Sequence, residues 1–66
     1  MKLFHTHRWR LRNWSPYTVA GGIGGYQYGE VCDCGITRTV EFGFYRTQPY
    51  DVLQLERDHP DGVVEA

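Results

Sequence analysis

Residues 5–14 read HTHRWRLRNW and alternate strictly: His5, His7, Trp9 and Leu11 share one parity, and Thr6, Arg8, Arg10 and Arg12 share the other. Successive side chains of a strand point to opposite faces. The period of two therefore predicts a half-buried strand with two imidazoles, an indole and a leucine turned inward and three arginines turned to solvent. Ser15-Pro16 breaks the pattern, and the run Gly21-Gly22-Ile23-Gly24-Gly25 predicts a loop. Those glycines lack a Gly-Lys-Ser/Thr ending and leave no room for a helix before Cys32, so a phosphate-binding loop is not expected. Residues 26–32, YQYGEVC, put Tyr26, Tyr28, Glu30 and Cys32 on one face, with Cys34 in the same parity, and form a second predicted strand. Residues 36–46, ITRTVEFGFYR, put Ile36, Val40, Phe42 and Phe44 on one face and Thr37, Thr39, Glu41 and Tyr45 on the other. Their β-branched and aromatic content predicts a third strand, joined to the second by the turn Cys32-Asp33-Cys34-Gly35. Beyond Pro49, Val52, Leu53 and Leu55 suit a short helix or a short strand, the helix being preferred. His59-Pro60-Asp61-Gly62 ends that element, and the last four residues are expected to be frayed or lightly docked.

A chain of 66 residues supports one domain with one modest core. A core of that size supplies only about 3–5 kcal/mol, so a disulfide, a metal or a partner is expected to reinforce it. Cys32 and Cys34 are separated by one residue, and a bridge between them would close a small strained ring. The N-terminal stretch has no apolar core or cleavage site of a signal peptide, and no segment approaches the roughly 20 apolar residues that span a bilayer. A soluble, cytoplasmic protein with reduced thiols is the expectation, and paired reduced thiols point to metal.

His5 and His7 fall on one face of a strand, and Cys32 and Cys34 fall on a turn between two strands. Zinc prefers four nitrogen and sulfur ligands in a tetrahedron, and a fully protein-ligated site of this kind is structural. The candidate ligands are therefore His5, His7, Cys32 and Cys34, with Zn2+ as a structural ion; the mixed set without an open position favours zinc over copper or iron. Gly35, directly after the second cysteine, suits a turn that needs a positive φ around a metal-bound sulfur. His59, beside Pro60, is expected in an exposed turn rather than in the ligand set.

The net charge of −1 conceals an asymmetry. Lys2, Arg8, Arg10 and Arg12 lie near one end, and Asp51, Glu56, Asp58, Asp61 and Glu65 near the other. A globally basic nucleic-acid binder is not indicated, although Arg8, Arg10 and Arg12 on one side of a strand would rise about 6.6–6.8 Å apart, near a phosphate repeat. Trp14, Tyr17 or Tyr45 would supply stacking beside them. The competing reading has the same arginines solvating a sheet face and pairing with Glu41 or the acidic tail. A sheet with one inner face cannot bury all ten aromatic residues. Arg8, Arg10, Arg12, Trp14 and Tyr45 thus form a candidate protein-binding patch. No nucleophile with a paired base is evident, and an enzyme is not expected.

HTHRW near the start and CDCGITRTVEF after a tyrosine-rich strand resemble the small zinc-ribbon proteins encoded by actinobacterial phages, and zinc ribbons generally, over about residues 4 to 46. Two departures stand out: His5-x-His7 replaces the first knuckle, and Cys32-x-Cys34 is one residue shorter than the usual Cys-x-x-Cys. The resemblance implies a three-stranded antiparallel sheet with the metal at one end; the chain as a whole is read as a ribbon-like β domain over residues 1–48 followed by a partly ordered acidic extension over residues 49–66. The resemblance does not fix a partner, because such ribbons bind DNA, RNA and protein alike; the residues themselves point to a non-enzymatic binding module without a membrane or small-molecule partner. A protein partner is favoured, with a phage product acting on host machinery as the setting. The alternatives are a nucleic-acid-binding ribbon that uses the arginine strip and a self-assembling structural protein.

Overall fold

The computed structural model describes residues 6–65. Three strands, β1 (Trp9–Tyr17), β2 (Gly25–Cys32) and β3 (Thr37–Gly43), form an antiparallel sheet in the order β1-β2-β3, followed by one short helix, α1 (Val52–Asp58). The short connections explain the order, because consecutive antiparallel strands can be joined by tight turns. Trp9 faces Cys32, Leu11 faces Glu30 and Trp14 faces Tyr28 across β1 and β2, while Glu30 faces Arg38, Tyr28 faces Val40 and Tyr26 faces Phe42 across β2 and β3. These residues share the inner face, and the expected parity of β2 is seen directly in the burial of Tyr28, Glu30 and Cys32.

The first strand departs from strict alternation. Its register shifts between Leu11 and Asn13, leaving Arg12 as a bulge, and the extra residue turns Trp14 inward with Leu11. Trp14 is buried in the core and does not belong to an exposed patch. The strand also continues through Ser15-Pro16, with Pro16 opposite Tyr26; an edge strand tolerates a proline because one side of its backbone carries no ladder.

The bulge is also where the C-terminal stretch docks. The Arg12 carbonyl accepts hydrogen bonds from the Val64 and Glu65 amides at 2.9 and 3.0 Å, and the Trp14 amide donates to the Gly62 carbonyl at 3.0 Å. The Trp14 indole N–H donates to the His59 carbonyl at 3.0 Å. Gly62 has φ +84°, and a Cβ there would come within 2.6 Å of the Trp14 carbonyl oxygen, so glycine is required both for the backbone angle and for the close approach. Val63 forms an antiparallel bridge with Asn13. Residues 63–65 are thus docked along the outer edge of β1 rather than frayed.

The preferred helix forms over Val52–Asp58. The Asp51 side chain caps it by accepting from the Gln54 amide at 3.2 Å, which satisfies a donor that the first turn leaves without an intrahelical partner. The His59 backbone amide closes it by donating a hydrogen bond to the Leu55 carbonyl at 2.7 Å, and Pro60 follows. Leu55 joins Leu11, Trp14 and Tyr28 in the buried cluster, with Tyr26, Val40, Phe42, Tyr50, Val52 and Val64 packed around them. The third strand is shorter than its sequence pattern. Ile36 and Phe44 lie outside β3 and are largely exposed, because the cover from α1 and the tail reaches only the middle of the sheet.

One charge lies within this face. Glu30 is buried, accepts from Arg38 Nε at 2.7 Å and from the Tyr50 hydroxyl, and therefore meets the requirement that a buried carboxylate be paired. Burial, with the hydrogen bond to Glu30 next in importance, pushes the Tyr50 hydroxyl pKa well above the usual tyrosine range.

Candidate metal centre

The β2–β3 connection is a tight turn. The Gly35 amide donates to the Cys32 carbonyl at 2.8 Å, the Cys32 amide donates to the Ile36 carbonyl at 2.8 Å, and Gly35 has φ +94°. The glycine after the second cysteine thus has the backbone angle that its position in the sequence called for. This geometry turns both sulfurs toward the start of β1, where Trp9 lies opposite Cys32 and brings the preceding residues alongside.

His7 arrives there. Its Nδ1 lies 3.2 Å from Cys32 Sγ and 3.5 Å from Cys34 Sγ, and the three ligand atoms lie within 4.8 Å of one another. Bonds of about 2.0–2.1 Å to nitrogen and about 2.3 Å to sulfur place neighbouring donors of a tetrahedral zinc about 3.5 Å apart for N and S, and about 3.8 Å for two sulfurs. The nitrogen–sulfur distances fit that edge length. Cys32 is 2% exposed and Cys34 is on the surface, so the group has one wall in the protein and one side toward solvent. The two cysteines are not disulfide-bonded. His5 lies outside the described residues. His59 does not join the group; it closes α1.

Contacts on two sides hold the centre's surroundings. The His7 ring packs against Trp9 with centroids 5.0 Å apart, and the Arg38 guanidinium covers the Trp9 ring at 4.1 Å while it pairs with Glu30. A stack therefore runs from the imidazole to the buried carboxylate. On the other side Arg10 pairs with Asp33, the residue between the cysteines, and its Nε bonds Glu65 at 2.9 Å. Glu65, as the larger influence, and Asp33 raise the Arg10 pKa. A hollow of about 190 Å³ lined by Thr6, Arg8, Cys32 and Asp33 opens beside the cluster.

Comparison with protein-family models, with curated proteins and with solved structures finds no match. The site is therefore read from its own chemistry: a His/Cys/Cys group that can hold a metal ion.

The remaining candidates are dispersed. Arg8 precedes β1 at the hollow, Arg10 is engaged by two carboxylates, and Arg12 occupies the bulge, so the three do not form an even row. Tyr45 is 81% exposed at the other end of the sheet. The roles of Trp9 and Arg38 were missed in the sequence. Trp9 carried one signal, its shared parity with His7, but the stacking of Arg38 depends on the pairing of β2 with β3.

Proposed function

We propose that the chain is a non-enzymatic binding module stabilised by a structural zinc ion on His7, Cys32 and Cys34, with His5 as the fourth ligand. The observation that carries this reading is the convergence of His7 with Cys32 and Cys34 at tetrahedral spacing, at the end of a sheet with few buried side chains. Imidazole and thiolate together suit zinc, and a fourth protein ligand closes the site against catalysis.

The docking surface we assign to a protein partner lies at the opposite end. There the Phe44 amide donates to the Gly24 carbonyl at 3.1 Å, which sets the 44–45 segment beside the glycine-rich loop. Val19, Ile23, Phe44 and Tyr45 are exposed there, and aromatic residues with neighbouring aliphatics are the usual anchors of protein interfaces. The resemblance to phage-encoded zinc ribbons makes a phage product acting on host machinery in the cytoplasm the setting of this proposal. The nucleic-acid alternative has less support, because the Arg10 guanidinium is already held by Asp33 and Glu65.

Native mass spectrometry of protein purified without added metal or chelator tests the zinc assignment. One zinc per chain is expected, reduced in His5→Ala and lost in Cys34→Ser. A metal-free protein that remains folded would refute it, and full zinc retention in His5→Ala would remove His5 from the ligand set.

A further inference from the structure

The two outer edges of the sheet are finished differently. Along β1 the chain's own C-terminal stretch takes the Arg12 carbonyl and the Trp14 amide. Along β3 no segment among the described residues does the same. The direction of the β3 backbone groups follows from the turn. Cys32 donates to the Ile36 carbonyl and Phe44 donates to the Gly24 carbonyl, so even-numbered residues of β3 bond to β2. Thr37, Thr39 and Glu41 therefore direct their N–H and C=O groups away from the sheet. The Gly43 carbonyl obeys the same alternation and is occupied by the Arg46 amide and by Gln48 Nε2.

Edge strands of monomeric proteins are usually blunted by a lysine, a proline or a bulge. β3, with the sequence TRTVEFG, has none of these, and its register with β2 is unbroken from Thr37 to Gly43. Its inward charge, Arg38, is neutralised by Glu30 within the same chain. Such an edge is a template for another strand.

We propose that this edge is closed by a second copy of the chain, β3 pairing antiparallel with β3 of the other copy about a two-fold axis at Thr39, to give a continuous six-stranded sheet. The strand is self-complementary, which makes a second copy the occupant that fits, and the registers available to two identical strands decide the axis. An axis at Arg38 or at Glu41 sets like charges directly opposite each other, which is unfavourable. An axis at Val40 requires the Gly43 backbone, which Arg46 and Gln48 already hold. With the axis at Thr39, Thr37 faces Glu41 of the second copy, Arg38 faces Val40, and Thr39 faces Thr39. Hydroxyl meets carboxylate, hydroxyl meets hydroxyl, and no like charges meet. The same register lays Ile36, 52% exposed, opposite Phe42 of the second copy, on the inner side of the joined sheet. An isologous contact of this kind closes on itself and does not propagate into a fibre. It uses the sheet alone and stands whether or not the metal assignment holds.

Light scattering coupled to size exclusion, on the full chain as purified and over a wide concentration range, tests the proposal. The expected result is a mass approaching twice 7.7 kDa as concentration rises. Thr39→Pro removes one outward N–H without touching the bonds to β2, so it should give a monomer with unchanged circular dichroism. Because proline can also disturb a strand, Thr39→Cys supplies a second test. Two residues facing each other across such a pair lie about 5.5 Å apart between Cα atoms, within disulfide range. Mild oxidation should link Thr39→Cys chains in pairs, while Thr37→Cys, two residues off the axis, and the unaltered chain stay unlinked. A monomer at every concentration, or a dimer that survives Thr39→Pro and does not cross-link through position 39, would overturn the proposal.

Discussion

At the cysteine end of the sheet His7 meets two cysteines of a distant turn, yet of that turn only Cys32 is buried, while Asp33, Cys34, Gly35, Ile36 and Thr37 face water. The glycine end is held by rings instead. Tyr26 packs edge-on to Phe44 at 5.0 Å and Tyr28 against Phe42 at 6.1 Å, while Gln48 ties the Tyr28 hydroxyl to the carbonyl at Gly43. One end stands on packed rings, and the other on the stack of His7, Trp9 and Arg38 and on the Arg10 ion pairs around the His/Cys/Cys group. On the proposed metal assignment the contrast has a physical account: ligand bonds at the turn would replace the contacts that burial supplies elsewhere.

The largest expected effect follows from withdrawing the proposed metal. Structural zinc in small domains contributes an apparent ~10–16 kcal/mol at neutral pH, which is comparable to the roughly 5–15 kcal/mol that separates a folded domain from its unfolded chain. A strong chelator should therefore unfold the whole protein, glycine end included. The check is loss of both near- and far-ultraviolet circular dichroism, with recovery on adding one equivalent of zinc. A glycine end that keeps its aromatic signal in chelator would show that the rings suffice without the ligands, and would break the asymmetry.

Trp14 lies between the two ends and gives the next effect in size. It is buried opposite Tyr28 on the inner face, and its indole N–H and backbone amide both receive the C-terminal stretch. Trp14→Ala should cost about 3–5 kcal/mol through the cavity it leaves. It also leaves the His59 carbonyl without its indole donor. The measurement is the urea midpoint of the zinc-loaded protein, with zinc content unchanged because Trp14 touches none of the ligands. Loss of zinc in this variant would mean that the metal end leans on the core more than the geometry implies.

Much of this arrangement was legible in the sequence. Three strands, the short helix and the cysteine turn follow from alternation, from Pro and Gly, and from the paired His and Cys spacing. Local pattern was insufficient wherever the deciding partner came from elsewhere in the chain. The bulge at Arg12 receives the amides of residues 64 and 65, and Trp14, expected in an exposed patch beside the arginines, turns into the core. The pattern of Ile36 and Phe44 ran past the ends of β3 because alternation cannot reveal how far a helix of seven residues extends its cover. Glu30 had core parity without an evident reason, and the reason is Arg38, which only the β2–β3 register brings opposite. The cysteine pair was readable as a candidate ligand pair, but its meeting with His7 rests on Trp9 facing Cys32.

The smallest of these effects sharpens the comparison at the glycine end and shows itself mainly in alkali. Burial, with Tyr26 adding to it, pushes the Tyr28 hydroxyl from its ordinary 10.0 up to about 12. The folded state thus keeps a proton that the unfolded chain releases. The contribution to stability is complete below about pH 10 and is lost as pH rises through about 12, since the unfolded state binds fewer protons in that window. Tyr28→Phe removes this titration together with the 2.6 Å hydrogen bond to Gln48. At neutral pH it should cost about 0.5–1.5 kcal/mol, the net value of one hydrogen bond. Above about pH 10 the variant should lose stability less steeply than the unaltered protein, with the raised Tyr50 accounting for the decline that remains. Urea midpoints taken from neutral pH to about pH 11 would resolve the two slopes. Parallel slopes would mean that Tyr28 is solvated in the folded state, and that the glycine end is less closely packed than its rings indicate.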